Sequence, residues 1–414
     1  MPGRRPRGRD QRMIAAIGVL SGTSHDGVKY RVRRAAARQT WGEALERQWV
    51  PAAVRFVLRC GGLPVDAPER SEPGVLCTDV PAVLGRRMGP VRSLMAWLSH
   101  AIATFPNAHF IGKADDDVYL HPPAIIRLLE SVPVGMRKHA YLGYHNWYHT
   151  LYEPGRQFQF TTYSPQRGYS NMAARRTGLA KRCSVPNVTC HGPFPYACGP
   201  FFAIGRRLVQ ALAANEGIRA EMDSLSVLPM PAKEFVVEDV WLGSVLWRHV
   251  GSRLPLTLLS VHGWDSLYYD THGFRVHRQL AIYHNRHKFI NRLVVLAHFL
   301  ELHSCKAPLG WEAANNGGDC CPAGVAAVGG RLSPPSGEPA HPWQAWRLKV
   351  LSTRCLQEDG TAVNLGNVSL LRELGVEARL PVPTGLSTET WLKERDSESA
   401  VRERFLYAHG RVKA

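Results

Sequence analysis

Residues His109–Leu120 read HFIGKADDDVYL, and the interpretation of the whole chain turns on them. An apolar run climbs to Lys113, the carboxylates Asp115, Asp116 and Asp117 interrupt it, and the β-type residues Val118 and Tyr119 follow at once. Adjacent like charges repel, raise one another's pKa and destabilise a turn unless a cation or a set of donors balances them. A divalent metal is the usual partner. Hard cations such as Mg2+ and Mn2+ take oxygen from one or two carboxylates and complete their shell with substrate phosphates. The competing interpretation is a solvated acidic turn, and the triplet alone does not choose between them.

Upstream, Met13–Leu20 (MIAAIGVL) has the almost wholly apolar pattern of a strand buried on both faces of a parallel sheet. The polar loop Gly22–Gly27 matches neither GxxxxGK[ST] nor GxGxxG, so it is no phosphate-binding loop of those kinds. The segment VRRAAARQTWG from Val32 predicts a helix carrying Arg33, Arg34 and Arg38. Arg34 and Arg38 are four apart and share a face, and Arg33 reads as part of a solvated basic face. Ala53–Leu58 reads as a second strand, and Val91–Phe105 as a helix with Val91, Leu94, Met95, Leu98 and Ile102 on one side. Alternating strands and helices predict an α/β domain with a mostly parallel central sheet flanked by helices. Ligands of such sheets bind beyond the carboxyl ends of the strands, where the triplet lies.

Downstream, His121-Pro122-Pro123 starts a helix continuing through Ala124–Val132, and Tyr141–Tyr148 reads as a strand. A long polar, basic stretch, Glu153–Arg182, follows as a surface insertion. In FPYACGPFFAIG (Phe194–Gly205) the small-residue bend Cys198-Gly199-Pro200 lets backbone approach a ligand closely, a plain turn being the alternative. A strand and the helix Arg206–Ala214 come next. Val236–Gly251 places Glu238 and Asp239 at the start of a helix whose inner face is Val240, Gly243, Leu246, Trp247 and Val250, with Gly251 as its stop. Carboxylates there serve equally well as partners of the helix dipole. Leu280–Tyr283 is strand-like and leads to His284, at the junction with a helix predicted over residues 288–303. A single histidine is more often structural than a ligand.

The chain divides into a basic arm over residues 1–12, a domain over 13–303, a Gly-, Pro-, Ala- and Cys-rich linker or disordered stretch over 304–345, and a C-terminal extension over 346–414 with helical fragments and no usable motif. With 414 residues, 45% of them hydrophobic, a sizeable core can form. A net charge of +17 favours anionic partners. No finger, RNP-type aromatic motif or basic zipper accompanies it, so nucleic acid is an unlikely target. No stretch reaches the roughly 20 apolar residues that span a bilayer, and no signal-peptide cleavage pattern follows Ile14–Leu20. Nine cysteines without a CxxC pair argue against a zinc ribbon. Cys183 and Cys190 bracket the sequon Asn187-Val188-Thr189 and form a plausible disulfide if the chain is luminal, and a second sequon lies at Asn367-Val368-Ser369.

Five blocks, RRxxxRxTWG, KADDDVYL, FPYACGPFFAI, EDVWLG and AIYHNRHK, resemble in order and approximate spacing the β-1,3-galactosyltransferase family, glycosyltransferase family 31, which includes β-1,3-N-acetylglucosaminyltransferases and is related to Fringe. The resemblance covers roughly residues 13–303. It implies a GT-A fold, a single nucleotide-sugar-binding domain, and an inverting transfer from a UDP-sugar to a glycan or glycoprotein hydroxyl. Galactose is the expected sugar, with N-acetylglucosamine as the alternative, and Mn2+ is the expected ion, with Mg2+ as the alternative.

The resemblance also implies roles. Asp115 and Asp117 match the DxD metal positions, Asp117 as the direct ligand, with Asp116 near the donor ribose or sugar. His284 matches the family's metal-ligand histidine, whose imidazole suits Mn2+ better than Mg2+. Asp239 matches the catalytic base. Arg34 and Arg38 match the arginine block, serving the nucleotide or the structure. Golgi localisation and membrane association are implied too, although the anchor and stem usual in the family are missing, and a truncated N-terminus is the expected reason. Cys198-Gly199-Pro200 also departs from the family's glycine-rich bend, which puts donor or acceptor contacts there in question. Two other readings compete: a metal-dependent phosphoryl transferase or nuclease, which needs a second acidic cluster near the triplet, and a non-catalytic basic binder of nucleic acid or glycan on a transferase scaffold.

Overall fold

The computed structural model describes residues 13–23, 26–42, 52–84, 88–152, 159–163, 189–227, 237–261, 268–270, 275–276, 281–284, 325–329, 344–350 and 363–364. The basic arm, Cys183, both sequon asparagines and the helix expected over 288–303 lie outside them.

In chain order the elements are β1 (Ala15–Leu20), α1 (Val28–Ala37), β2 (Ala52–Gly61), β3 (Val75–Pro81), α2 (Gly89–Thr104), β4 (Phe110–Asp115), β5 (Val118–Leu120) and α3 (Pro122–Glu130). There follow β6 (Ala140–Tyr152), β7 (Gln159–Tyr163), β8 (Thr189–Gly205), α4 (Arg206–Ala214), α5 (Glu216–Val227), α6 (Glu238–Val245) and β9 (Thr257–Val261). The last are the short strands β10 (Tyr268–Asp270), β11 (Arg275–Val276), β12 (Ile282–His284), β13 (Val325–Gly329), β14 (Gln344–Val350) and β15 (Val363–Asn364).

The main sheet runs β13-β14-β9-β6-β8-β4-β1-β2-β3, with β7 attached to β6. Within its seven-stranded centre, from β9 to β3, β8 alone is reversed: it is antiparallel to β4 and to β6, while β1, β2, β3 and β4 pair in parallel, as do β6 and β9. This is the expected α/β architecture, a mostly parallel sheet flanked by helices. Its topology brings the carboxyl ends of β1 and β4 to one edge, where β8 passes alongside.

Helices cover both faces because strand side chains alternate. Ile17 and Val19 of β1 share one core with Trp41, Ile125 and Leu129, and Ala16 of β1 joins the other with Trp97, Leu208, Trp241 and Leu242. Two indoles fix the layers. Trp41 Nε1 donates to the Val118 carbonyl at 2.9 Å, and Trp97 Nε1 donates to the Gly112 carbonyl at 2.8 Å. The Trp97 ring fills the space over Gly18, where a Cβ would lie 2.5 Å from the indole.

Several expectations shift. The arginine helix begins at Val28 and ends in a π-type turn, Arg38–Gly42. The helix of Glu238 and Asp239 is buried all round from Asp239 to Val245, not along one face, before a π-type turn Leu246–Val250 closed by Gly251 N–H donating to the Leu246 carbonyl at 2.6 Å. A linker over 304–345 does not hold throughout. β13 lies inside it and pairs with β14, which continues the sheet in parallel beyond β9. β14 itself crosses from that stretch into the extension beyond residue 346, where no strand was expected. Without β14, β9 would present an open edge, and pairing satisfies its backbone groups. A disulfide forms between Cys60 and Cys77, joining β2 to β3, a pair that spacing did not single out.

Overpacking a filled core costs about 1–3 kcal/mol, so Gly18→Ala is expected to lower stability by about that much in urea unfolding. Unchanged stability would show that Trp97 does not fill the space. A second prediction concerns His145, buried on β6 with its ring edge-on to Tyr141 at 4.9 Å. Burial pushes the imidazole down to about 3, against a backbone hydrogen bond at Gly143 that raises it. Below the unfolded value near 6.5 only the unfolded chain takes up that proton, so stability is present above it and falls as pH drops, by about 1.4 kcal/mol per unit. Between pH 7 and 5 the wild type should lose about 2 kcal/mol more than His145→Phe; equal losses would refute the assignment.

Candidate active site

The acidic triplet straddles a strand end. Asp115 is the last residue of β4, and Asp116 and Asp117 form the turn into β5. Alternation then separates the carboxylates: Lys113 and Asp115 point to the face where α6 packs, and Asp116 points toward α1.

On the α6 side, Lys113 is wholly buried and its ammonium meets three oxygens. It is ion-paired with Asp115, donates to Glu238 Oε1 at 2.9 Å and donates to the Gly199 carbonyl at 2.6 Å. Gly199 lies in an irregular step of β8, where the partners of Gly143 and His145 on β6 jump from Phe202 to Ala197. The bend expected at Cys198-Gly199-Pro200 is therefore a bulge within a strand. A Cβ at Gly199 would stand 3.3 Å from Asp239 Oδ2, 3.5 Å from Asp115 Oδ2 and 3.7 Å from Lys113 Nζ. The bare backbone thus lies between two carboxylates, and a side chain there would press on Asp239.

Asp239 is buried, and its Oδ1 accepts from the Val240 N–H at 2.7 Å. Burial first, then repulsion from Glu238, pushes its carboxyl up to about 7 against the pull of Lys113. Asp115 is also pushed up to about 7, by burial first, with Lys113 opposing and Glu238 and Asp117 adding. Burial acts to raise Glu238, but Lys113 outweighs it, so that carboxyl stays below its ordinary value. One carboxylate beside the ammonium is held ionised, and its neighbour is left near neutrality.

On the α1 side, Asp116 accepts from Ser21 Oγ at 2.7 Å and pairs with Arg33 at 3.3 Å. Its carboxyl is pushed up to about 6 by burial, which Arg33 opposes and Asp117 reinforces. Arg33 is buried, not part of a solvated basic face. Arg34 and Arg38 converge on Glu72: Arg34 Nη2 lies 2.8 Å from Oε2 and Arg38 Nη2 lies 2.9 Å from Oε1. Arg34 also donates to the Gly22 carbonyl at 2.5 Å and to Ser21 Oγ at 3.4 Å. Arg34 thereby reaches the triplet through Ser21, and Arg38 braces Arg34 by sharing Glu72.

Asp117 and His284 meet by register. Antiparallel pairing of β5 with β12 sets His284 opposite Val118, and His284 Nε2 lies 3.8 Å from Asp117 Oδ1. That separation is too long for a hydrogen bond and short enough for both atoms to ligate one cation at roughly 2.1 Å. A carboxylate oxygen beside an imidazole nitrogen is a donor set that fits Mn2+. Among the described residues no group of three or more His, Cys, Asp or Glu side chains could by itself hold a metal ion, so the rest of the shell would fall to substrate oxygens, as in many phosphate-bound sites. Asp115, expected as a further ligand, is paired with Lys113.

The structure thus gathers Asp115, Asp116, Asp117, Asp239 and His284 at one sheet edge, with Arg34 and Arg38 one step removed. Sequence reasoning gave no role to Lys113 or Ser21 and misjudged Arg33. Lys113 carried a signal, two residues before Asp115 on the same strand face. Glu72, isolated between β2 and β3, carried none.

Comparison with known proteins bears on part of this region. Residues 90–225 match the family described as Galactosyltransferase. The segment contains the triplet and Gly199, while Asp239 and His284 lie beyond it. No curated protein sequence matches the chain. Among solved structures, a glycosyltransferase involved in the glycosylation of the major capsid of PBCV-1 is 11% identical, over 60% of this chain and 83% of that one, with a TM-score of 0.28. Mannose-1-phosphate geranyltransferase from Thermus thermophilus is 12% identical, over 57% of this chain and 70% of that one, with a TM-score of 0.27. Likenesses this loose carry no argument about the chain. What ties the chain to glycosyl transfer is the similarity of residues 90–225 to the Galactosyltransferase family, over part of its length.

Proposed function

We propose that the chain transfers a hexose, galactose foremost, from a UDP-sugar to a glycan or glycoprotein hydroxyl with inversion, forming a β-1,3 linkage. The observation that carries this reading is the separation of carboxylates at the strand ends: Asp239, raised toward neutrality, stands across Gly199 from Asp115 of the triplet. A general base works best with a pKa near the operating pH. Asp239 takes the acceptor proton as that oxygen attacks the anomeric carbon, and the bond to UDP breaks with its electron pair leaving on the phosphate oxygen. Asp117 and His284 would hold a divalent cation, Mn2+ before Mg2+, which supplies charge stabilisation for the departing diphosphate. Asp116, fixed by Ser21 and Arg33, holds the donor side of the turn rigid.

A phosphoryl transferase using two metals is disfavoured by Lys113. Glu238 and Asp239 do lie beside Asp115, as that reading requires, but the ammonium fills the gap where a second cation would sit. The Cys60–Cys77 disulfide supports an oxidising compartment such as the Golgi lumen. Among the described residues no helix is long and apolar enough to cross a membrane.

The test is sugar transfer by the full chain from UDP-galactose, UDP-N-acetylglucosamine and UDP-glucuronic acid, with Mn2+ or with chelator, beside phosphate-ester hydrolysis as a control. Asp239→Asn should lower kcat by about 10²–10⁴-fold and leave UDP–Mn2+ affinity nearly intact, while Asp117→Ala loses both. Because the base acts deprotonated, the wild-type rate should be full above about 7 and fall as pH drops through that value. Wild-type transfer by Asp239→Asn, or turnover of phosphate esters in place of UDP-sugars, would sink the proposal.

A further inference from the structure

Lys113 and Glu238 sit inside this site with no chemical step of their own. The ammonium has three donors, and its three partners come from three elements: Asp115 at the end of β4, the Gly199 carbonyl in the β8 bulge and Glu238 at the first residue of α6. No solvent reaches it. A buried cation lacking any one of these oxygens would be left under-compensated, so the tripod has one favourable arrangement. Further along α6, Gly243 packs flush on β8, where a Cβ would lie 2.5 Å from Tyr196 Cβ and 2.6 Å from the Pro195 carbonyl oxygen. α6 is held along its length, by Val240 packed with Phe194 and Tyr196 and by Gly243 flush on β8, and Glu238 adds the charged tie at its first residue. Asp239 adjoins that tie, and the hydrogen bond it accepts comes from its own helix.

We propose that Lys113 and Glu238 are positioning residues: the buried ammonium ties the amino end of α6 to the end of β4 and to the β8 bulge, and so sets where Asp239 stands relative to the acidic triplet. This deepens the proposed function and rests on it. Freeing Glu238 leaves α6 packed through Val240 and Gly243 and removes the tie that fixes its amino end, where Asp239 stands. A displacement near 1 Å in such a site can lower the rate by about 10²-fold.

The experiment compares Glu238→Ala with Glu238→Gln, which keeps an acceptor oxygen for Lys113, and with Lys113→Met, all in the full chain. In Glu238→Ala kcat for transfer should fall about 10²-fold with donor KM nearly unchanged, and Glu238→Gln should stay within roughly 5-fold of wild type. Lys113→Met, which also releases Asp115, should lower kcat and raise donor KM together. Hydrogen exchange of the Val240 and Trp241 amides should accelerate about 10-fold or more in Glu238→Ala while β1 and α2 keep their protection. Wild-type kcat in Glu238→Ala, or unchanged exchange in α6, overturns the inference. Should the wild type turn over no UDP-sugar, the proposed function fails instead, and exchange in α6 still decides whether the tripod positions the helix. If Lys113→Met does not fold, the Glu238 pair settles the matter.

Discussion

Everything at this sheet edge depends on a buried ammonium. Lys113 brings a positive charge into a place with no water, which is tolerable only with oxygens on every side. Two of the three oxygens come from parts of the chain 86 and 125 residues away, so a single side chain dictates how β4, β8 and α6 meet. Such an arrangement adds little net stability, since desolvation consumes most of the attraction. Its value lies in specifying one geometry. Around it the charges sort: Glu238 is held ionised, Asp115 is held in place, and Asp239 is left near neutrality.

How far this was legible in the sequence follows from what each residue depends on. Strand and helix order near β1, α2 and β4 was readable because apolar periodicity is local, and MIAAIGVL can bury both faces only within a sheet. The carboxylates of the site were also readable, because unbalanced charges inside apolar runs are conspicuous. Arg33 was misjudged because it borders Arg34 and shares no helix face with Arg38, whereas its burial is decided by Asp116, 83 residues later. Glu72 and the Cys60–Cys77 pair are products of tertiary contact, and nothing beside them in sequence announces their partners. β14 carried a local signal, since Trp346–Val350 alternate apolar and polar residues as a strand does; it was passed over because it follows a Gly- and Pro-rich stretch, and its place in the sheet comes from pairing with β9.

The two faces of the sheet treat their charges differently. On the α6 side a single cation serves Asp115 and Glu238. On the α1 side the arginines are more numerous than the site needs: Arg33 takes Asp116, while Arg34 and Arg38 share Glu72. A guanidinium with a bidentate partner is a fixed plane, not a mobile charge. Arg34 joins Glu72 to Ser21, and Ser21 joins Asp116, so the start of the loop after β1 is held from two sides.

The chain between β2 and β3 ties these features together. Gly62 and Gly74, both at positive φ, turn it out and back. The Cys60–Cys77 disulfide closes its base, and Glu72 fastens its far side to α1. Flexible walls around a binding cleft lose conformational entropy each time a ligand orders them, and affinity falls by that amount. Here the ordering takes place once, when the chain folds and the disulfide forms, so the segment that braces Arg34 and Arg38 is set before any ligand arrives.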